Sequence, residues 1–334
     1  MKIRAYQTGD EQAQLQIFNE AAAKLSKFKA ATLDEIRRRA RAADFDPNSR
    51  FIAMEGGQPV AYASFQANGR VSYPWHLPGH EGVAEPLFEK ILQAMQERCI
   101  ETAFAAYRAD WTGQLEFFRA RGFQQTREMV NFVVDLVDMP TPAARRSMPV
   151  NALQPSDLPT VAAFASGALR TNSVAELERY LFHNPYYPPE ALFALRGSDG
   201  LPAAIGILVG NPSYANPKQV DAGMPCYRLG AFGTEGMQTK RINGLFSFLA
   251  KSEDANRLGL EILNHAALCL RNVEIDSFAA QAASDVPHLL RFYESHFRRQ
   301  GSFPVLERDL TAAADKPKTE TAATSNDEAR TMKE

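Results

Sequence analysis

Three cysteines in 334 residues, Cys99, Cys226 and Cys269, are too few and too widely spaced for a disulfide framework. Their apolar surroundings predict buried, reduced thiols. Long apolar runs are also missing, and no stretch approaches the roughly 20 residues that a membrane-spanning helix needs. The opening MKIRAYQTGD lacks the apolar centre of a secretion signal. The expectation is a cytoplasmic protein with no membrane partner. Charge of one sign is lacking too: 37 Lys and Arg against 39 Asp and Glu leave −2, so no global cationic field gathers nucleic acid. The densest basic run, EIRRRARAAD, places Arg37, Arg38, Arg39 and Arg41 around a helix bracketed by Asp34, Glu35 and Asp44, which predicts a solvated face.

Several chemistries are excluded by missing motifs. Gly-x-Ser-x-Gly, Gly-x-x-x-x-Gly-Lys-Ser/Thr and Cys-x-x-Cys do not occur. His76 and His80 have the spacing of metal ligands on a helix. Pro78 and Gly79 between them prevent the shared helical face, so no metal is expected.

What is present is apolar content of 45%, enough to fill more than one core in a chain this long. An internal repeat divides it. FIAMEGGQPVAYASFQANG (51–69) and LFALRGSDGLPAAIGILVGNP (192–212) both read as strand, glycine turn and second strand, with Gly57-x-Pro59 matched by Gly200-x-Pro202. Upstream, IRAYQTGDEQAQLQIF and VNALQPSDLPTVAAF each run from a short strand through an Asp-containing cap into a helix, and Thr8 with Glu11 fits a capping box. Downstream, LEFFRARGF leads into MVNFVVDLV, and LLRFYESHFRRQGSF leads into PVLERDL. Two copies of one α/β (mixed α+β) fold are predicted, each a mixed sheet flanked by helices. Their expected bounds are 1–138 and 150–310, with a proline-punctuated linker at 139–149 and a polar, disordered tail at 311–334.

The element order, the glycine loop GHEGVA before the third helix and the aromatic helix before the last strand resemble the GNAT superfamily of acyl-CoA N-acyltransferases. The resemblance covers both copies, residues 1–310. It implies a strand splayed from its neighbour, a glycine loop holding the pyrophosphate of coenzyme A on backbone N–H groups, and a tyrosine that protonates the leaving thiolate. Helix N-termini suit such an anion because their first N–H groups have no helical partner. Here Gly82 and Ala84 match the Gly-x-Ala end, while Gly79 stands where the family has Gln or Arg. The cofactor segment is then Leu77, Gly79, His80, Glu81, Gly82, Val83 and Ala84, and a plain loop-to-helix turn is the alternative. Glu81 and Glu85 would repel a phosphate there. In the second copy, Lys240-Arg241-Ile242-Asn243 is expected to precede the helix, with no Gly-x-Gly/Ala. The tyrosine splits the other way: Phe118 occupies its position in FFRARGF, and Tyr293 keeps it in FYESHFRR.

These features predict an N-acetyltransferase that uses acetyl-CoA and a primary amine, either a small molecule or a peptide, with the site in the first copy. His76 is the nearest base, since imidazole titrates near neutrality, and Tyr293 is the family-type acid; either could instead be structural. The rival expectation is a non-catalytic protein that keeps the fold as an acyl-CoA-binding sensor or scaffold.

Overall fold

The computed structural model describes residues 1–28, 30–41, 45–140, 148–183, 189–210, 244–269 and 277–311. Apolar residues at alternate or three-and-four spacing produce one series of elements twice. The first run is β1 (Lys2–Ala5), α1 (Glu11–Ala22), α2 (Leu33–Ala40), β2 (Arg50–Glu55), β3 (Gln58–Ser64), β4 (Trp75–His76), α3 (Ala84–Glu97), β5 (Thr102–Ala106), α4 (Thr112–Arg119) and β6 (Gln124–Asp135). The second run is β7 (Val150–Ala152), α5 (Leu158–Leu169), α6 (Val174–Leu181), β8 (Leu192–Arg196), β9 (Pro202–Gly210), β10 (Gly244–Ala250), α7 (Ala255–Cys269), β11 (Ser277–Ala283), α8 (Pro287–His296) and β12 (Arg298–Asp309).

Both runs anchor their first helix by the same device. The sequence Gln-x-x-Asp folds so that Asp10 accepts the Gln7 N–H at 2.7 Å, and Asp157 accepts the Gln154 N–H at 2.9 Å. Each carboxylate then meets an arginine on a strand: Arg4 at 2.7 Å for Asp10, Arg196 at 2.9 Å for Asp157. Helix α1 starts at Glu11, so the predicted Thr8–Glu11 box does not form; Asp10 takes the cap position, and Glu11 accepts from the Gly9 N–H instead. The tight β2–β3 turn uses Gly56 and Gly57, both at positive φ (56° and 81°), as a two-residue hairpin requires.

Strands β1-β2-β3-β4 form one sheet. The other eight form a second sheet in the order β5-β12-β6-β11-β10-β9-β8-β7. Strand β12, last in the chain, therefore lies between β5 and β6 of the first run. Strand β6 lies in turn between β12 and β11 of the second. Each run fills a gap in the other's strand order. At this crossing the buried Asn131 of β6 accepts from the Gln281 amide of β11 at 2.8 Å, and Arg127 of β6 pairs with Glu307 of β12 at 2.5 Å.

Two further sequence expectations are corrected. Cys99 and Cys269 are exposed, not buried: Cys99 follows α3 at φ 55°, and Cys269 ends α7 on its outer side. Residues 244–250, GLFSFLA, form strand β10 and not the start of a helix; a short, largely apolar run suits a buried strand as well as it suits a helix. The helix begins at Ala255, after Lys251-Ser252-Glu253-Asp254. Arg37 and Arg41 are exposed, as a solvated face requires. Lys240, Arg241 and Cys226, most of the 139–149 segment and the chain from 312 onward lie outside the described residues. Among the described residues no helix is long and apolar enough to cross a membrane.

Two predictions follow from these contacts. A fragment ending at residue 138 keeps β5 and β6 but loses the strand between them, and is expected to aggregate or unfold without cooperativity; urea denaturation of the fragment against the full chain checks this. Burial alone would raise the Asp10 carboxyl, but the hydrogen bonds from Arg4 and the Gln7 N–H outweigh it and hold it below its ordinary 3.8; for Asp157 the Arg196 hydrogen bond leads and acts the same way. Stability from these depressed carboxyls is present above the ordinary value and lost as pH falls through the folded one. Asp10→Ala should cost about 1.5–3 kcal/mol at neutral pH and flatten the acid limb of a melting-temperature profile below about pH 4.

Candidate active site

The site is built where β4 and β5 separate. Before β4, residues Gly69 to Val71 run parallel to β5: the Val71 N–H donates to the Phe104 carbonyl and the Phe104 N–H to the Gly69 carbonyl, each at 2.8 Å. Gly69 permits this approach, because it sits at φ 90° and a Cβ there would lie 2.2 Å from the Thr102 carbonyl oxygen. The chain then leaves β5 for β3. Ser72 donates to Ser64 at 2.8 Å, Leu77 donates to Val60 at 2.9 Å, and Trp75 and His76 pair with Tyr62 and Ala61. Pro74 adds no N–H to either side.

The Tyr73 N–H falls in this separation. It donates to the Tyr107 hydroxyl at 2.5 Å, across the cleft. Aromatic rings pack both sides: Tyr107 stacks on Phe118 and Trp111, and Trp75 lies edge-on to Tyr73 and Phe18. On the α1 side the loop after that helix is latched down, with Ser26 donating to Asp110 at 2.6 Å and the Trp111 indole donating to the Ser26 carbonyl at 3.0 Å.

His76 is half-buried on β4 beside Tyr73. Its Nδ1 lies 2.8 Å from the Pro74 carbonyl oxygen. A carbonyl only accepts, so Nδ1 carries the proton there and the neutral ring presents Nε2 as a base.

The segment from Gly79 to Ala84 forms a glycine turn (Gly79 φ 86°), a single 3₁₀ turn at Glu81–Val83 and then α3. Leu77, His80 and Val83 fasten it from within: Leu77 accepts from the His80 N–H at 3.1 Å, His80 pairs with Glu55 at 2.8 Å, and Val83 is buried. Gly82 is exposed at an ordinary φ, and a Cβ there would meet nothing within 4 Å. The fold does not need glycine at 82, and the space where its side chain would stand is open. The Val83 and Ala84 N–H groups are taken up by the His80 and Glu81 carbonyls, while two others already meet a carboxylate. Glu81 curls back so that its own N–H and that of Gly79, at 3.0 Å, hydrogen-bond its carboxylate and hold it below the usual carboxylate range.

Arg121, just past α4, was not legible as a site residue. It donates to the Phe117 carbonyl at 2.7 Å, lies 3.5 Å over the Phe117 ring and pairs with Glu85 in the first turn of α3. Its Nε is buried without a hydrogen-bond partner. Glu85, expected to repel an anion, is thus neutralised by a cation at the edge of the same loop. The spacing of Arg121 from Glu85 carries no sequence signal, since only the packing of α4 against α3 unites them.

The second run has no such assembly among the described residues. Strands β10 and β11 pair in parallel only at Gly244–Phe278 and Leu245–Ala279 before separating. The turn leading to α7 has no glycine and carries Glu253 and Asp254. Gly259 lets α7 settle on Phe248 and Phe292, to which a Cβ would come within 2.6–2.9 Å. Tyr293 is buried in that packing, stacked on Phe132 at 5.6 Å. Its hydroxyl lies beside the Ser247 side chain and Phe248 backbone without a well-formed hydrogen bond, and burial pushes its ionisation above the usual tyrosine range. His76 and Tyr293 thus belong to different clefts. Among the described residues no cluster of His, Cys, Asp or Glu could hold a metal ion.

Two solved structures are similar over most of the chain. One is a GCN5-related N-acetyltransferase from Sphaerobacter thermophilus, with a TM-score of 0.62 and 13% identity, covering 92% of this chain and 95% of that one. The other is a multi-domain fungal GH3 β-N-acetylglucosaminidase with a GCN5-related glucosamine N-acetyltransferase region, with a TM-score of 0.65 and 15% identity; the match covers 92% of this chain and 38% of that one. No protein-family model and no curated protein sequence matches. At these identities the likeness is one of fold.

Replacing Gly69 by Ala adds a Cβ against Thr102 at a backbone angle that favours glycine. It is expected to cost at least about 1–3 kcal/mol and to loosen the cleft, read as faster hydrogen exchange at Val71 and Phe104.

Proposed function

We propose that this chain, which has the fold of the GCN5-related N-acetyltransferases, transfers an acetyl group from acetyl-CoA to a primary amine, and that the first run, residues 1–138, holds the site. One observation carries the reading: a strand N–H directed into a cleft stands next to a helix-start loop whose own N–H groups already stabilise a carboxylate. The donor, when bound, supplies an activated carbonyl and a thiolate leaving group. The Tyr73 N–H is the donor for negative charge developing on the carbonyl oxygen, a role in which a fixed backbone dipole needs no rearrangement. His76 Nε2 takes the amine proton. The loop from Gly79 to Ala84 and the Arg121 guanidinium suit a diphosphate, which would displace Glu81 from the N–H groups it holds. Aromatic side chains line the cleft. In this reading Tyr293 is a packed core residue, and the second run, 150–310, completes the sheet.

A second reading, a binding protein without turnover, is favoured by one observation: Phe118 stands where a tyrosine would reach the leaving group, and is fully buried. Calorimetric titration of acetyl-CoA followed by a thiol-release assay with small amines and peptide amino termini separates the two. Gly82→Trp fills the open space beside the loop and should weaken acetyl-CoA binding by about tenfold or more, the loss of about 1.4 kcal/mol. Unchanged affinity in that variant would place the cofactor elsewhere, and tight binding with no thiol release from any amine would favour the second reading.

A further inference from the structure

Helix α4 brings no hydroxyl to the first cleft, because Phe118 occupies the position that faces it. A hydroxyl is there nonetheless. Tyr107, one residue past β5, lays its ring nearly parallel to Phe118, 5.7 Å away at 21°, and to Trp111, 6.1 Å away at 29°. Its oxygen reaches across the cleft to the Tyr73 N–H. We infer that Tyr107 is the proton donor to the leaving thiolate, supplying from β5 the hydroxyl that α4 lacks. This assignment rests on the acetyl-transfer reading above.

The direction of the hydrogen bond is the first support. Tyr73 donates, so the Tyr107 oxygen accepts through a lone pair and its own proton is not engaged there; among the described residues that proton meets no acceptor. Burial pushes the phenol up to about 12, so it carries its proton at neutral pH. Position is the second support. The hydroxyl now stands on the N–H that would hold a thioester oxygen. The oxygen and sulfur of a thioester share one carbon. When the oxygen takes over the Tyr73 N–H, the displaced hydroxyl is left beside the sulfur, on a ring that stays packed against Phe118 and Trp111.

The step balances as follows. The amine nitrogen bonds to the carbonyl carbon and gives one proton to His76 Nε2. The carbon–sulfur bond breaks, its electron pair goes to sulfur, and the Tyr107 proton goes to the same sulfur to give the free thiol. The phenolate regains a proton from water as His76 releases one, so amine and thioester become amide and thiol.

The test is Tyr107→Phe, which keeps the ring, compared with the wild type and with the double variant Tyr107→Phe/Phe118→Tyr. Three quantities are read: calorimetric affinity for acetyl-CoA, kcat by thiol release, and the melting curve. The expected result is a fall in kcat of about a hundredfold to ten-thousandfold, with acetyl-CoA affinity unchanged or tighter because the Tyr73 N–H is released, and partial recovery of kcat in the double variant. Wild-type kcat in Tyr107→Phe would overturn the assignment, leaving Tyr107 a packing residue. So would parallel losses of affinity and kcat that the double variant does not recover. A wild type that binds acetyl-CoA but releases no thiol with any amine overturns the transfer reading itself, and the role of Tyr107 with it.

Discussion

The structure depends on the placement of β12 between β5 and β6, and of β6 between β12 and β11. A strand inside a sheet has both rows of backbone groups paired, and removing it leaves two open edges whose polar groups have no partner. Neither run can complete its strand order without the other. The cleft inherits its geometry from this arrangement: β5 is held along one edge by β12, and on its other edge it meets the first run only at Gly69 to Val71. With β5 fixed by the larger sheet and β4 drawn to β3 in the smaller one, the strands separate at Tyr73.

The two runs use the same frame for different ends. Both anchor the first helix by an aspartate paired with a strand arginine, and both separate their middle strands. Among the described residues, only the first run follows this with an open glycine loop. In the second, Gly259 inside α7 serves packing instead: it brings the helix down onto Phe248 and Phe292. Glycine thus has opposite consequences in the two halves, leaving room beside the main chain at 82 and removing it at 259.

Charge at the loop is decided by partners and not by composition. Two glutamates at a helix-start turn would oppose an anion there if both stood free. Glu85 is matched by Arg121, which α4 carries across to the first turn of α3. Glu81 bonds to the loop's own N–H groups, so in this arrangement they already face a tethered carboxylate.

The sequence by itself determined the local elements and their repetition, because turn chemistry and apolar period act over a few residues. Gly56-Gly57 dictates the β2–β3 hairpin, the Gln-x-x-Asp segments dictate the helix starts, and the stripe of Leu87, Phe88, Ile91 and Met95 dictates the buried face of α3. It also carried the likeness to the acyltransferase fold and marked His76 and the Gly79–Ala84 loop. It misplaced GLFSFLA in a helix, since a short and largely buried run has little period to read. Tertiary structure alone decided the exchange of β6 and β12, the neutralisation of Glu85 by Arg121 and the meeting of Tyr107 with the Tyr73 N–H. The last of these joins residues 34 positions apart across a gap between strands. No spacing rule along one chain segment encodes such a contact, because it exists only once two sheets hold β4 and β5 apart.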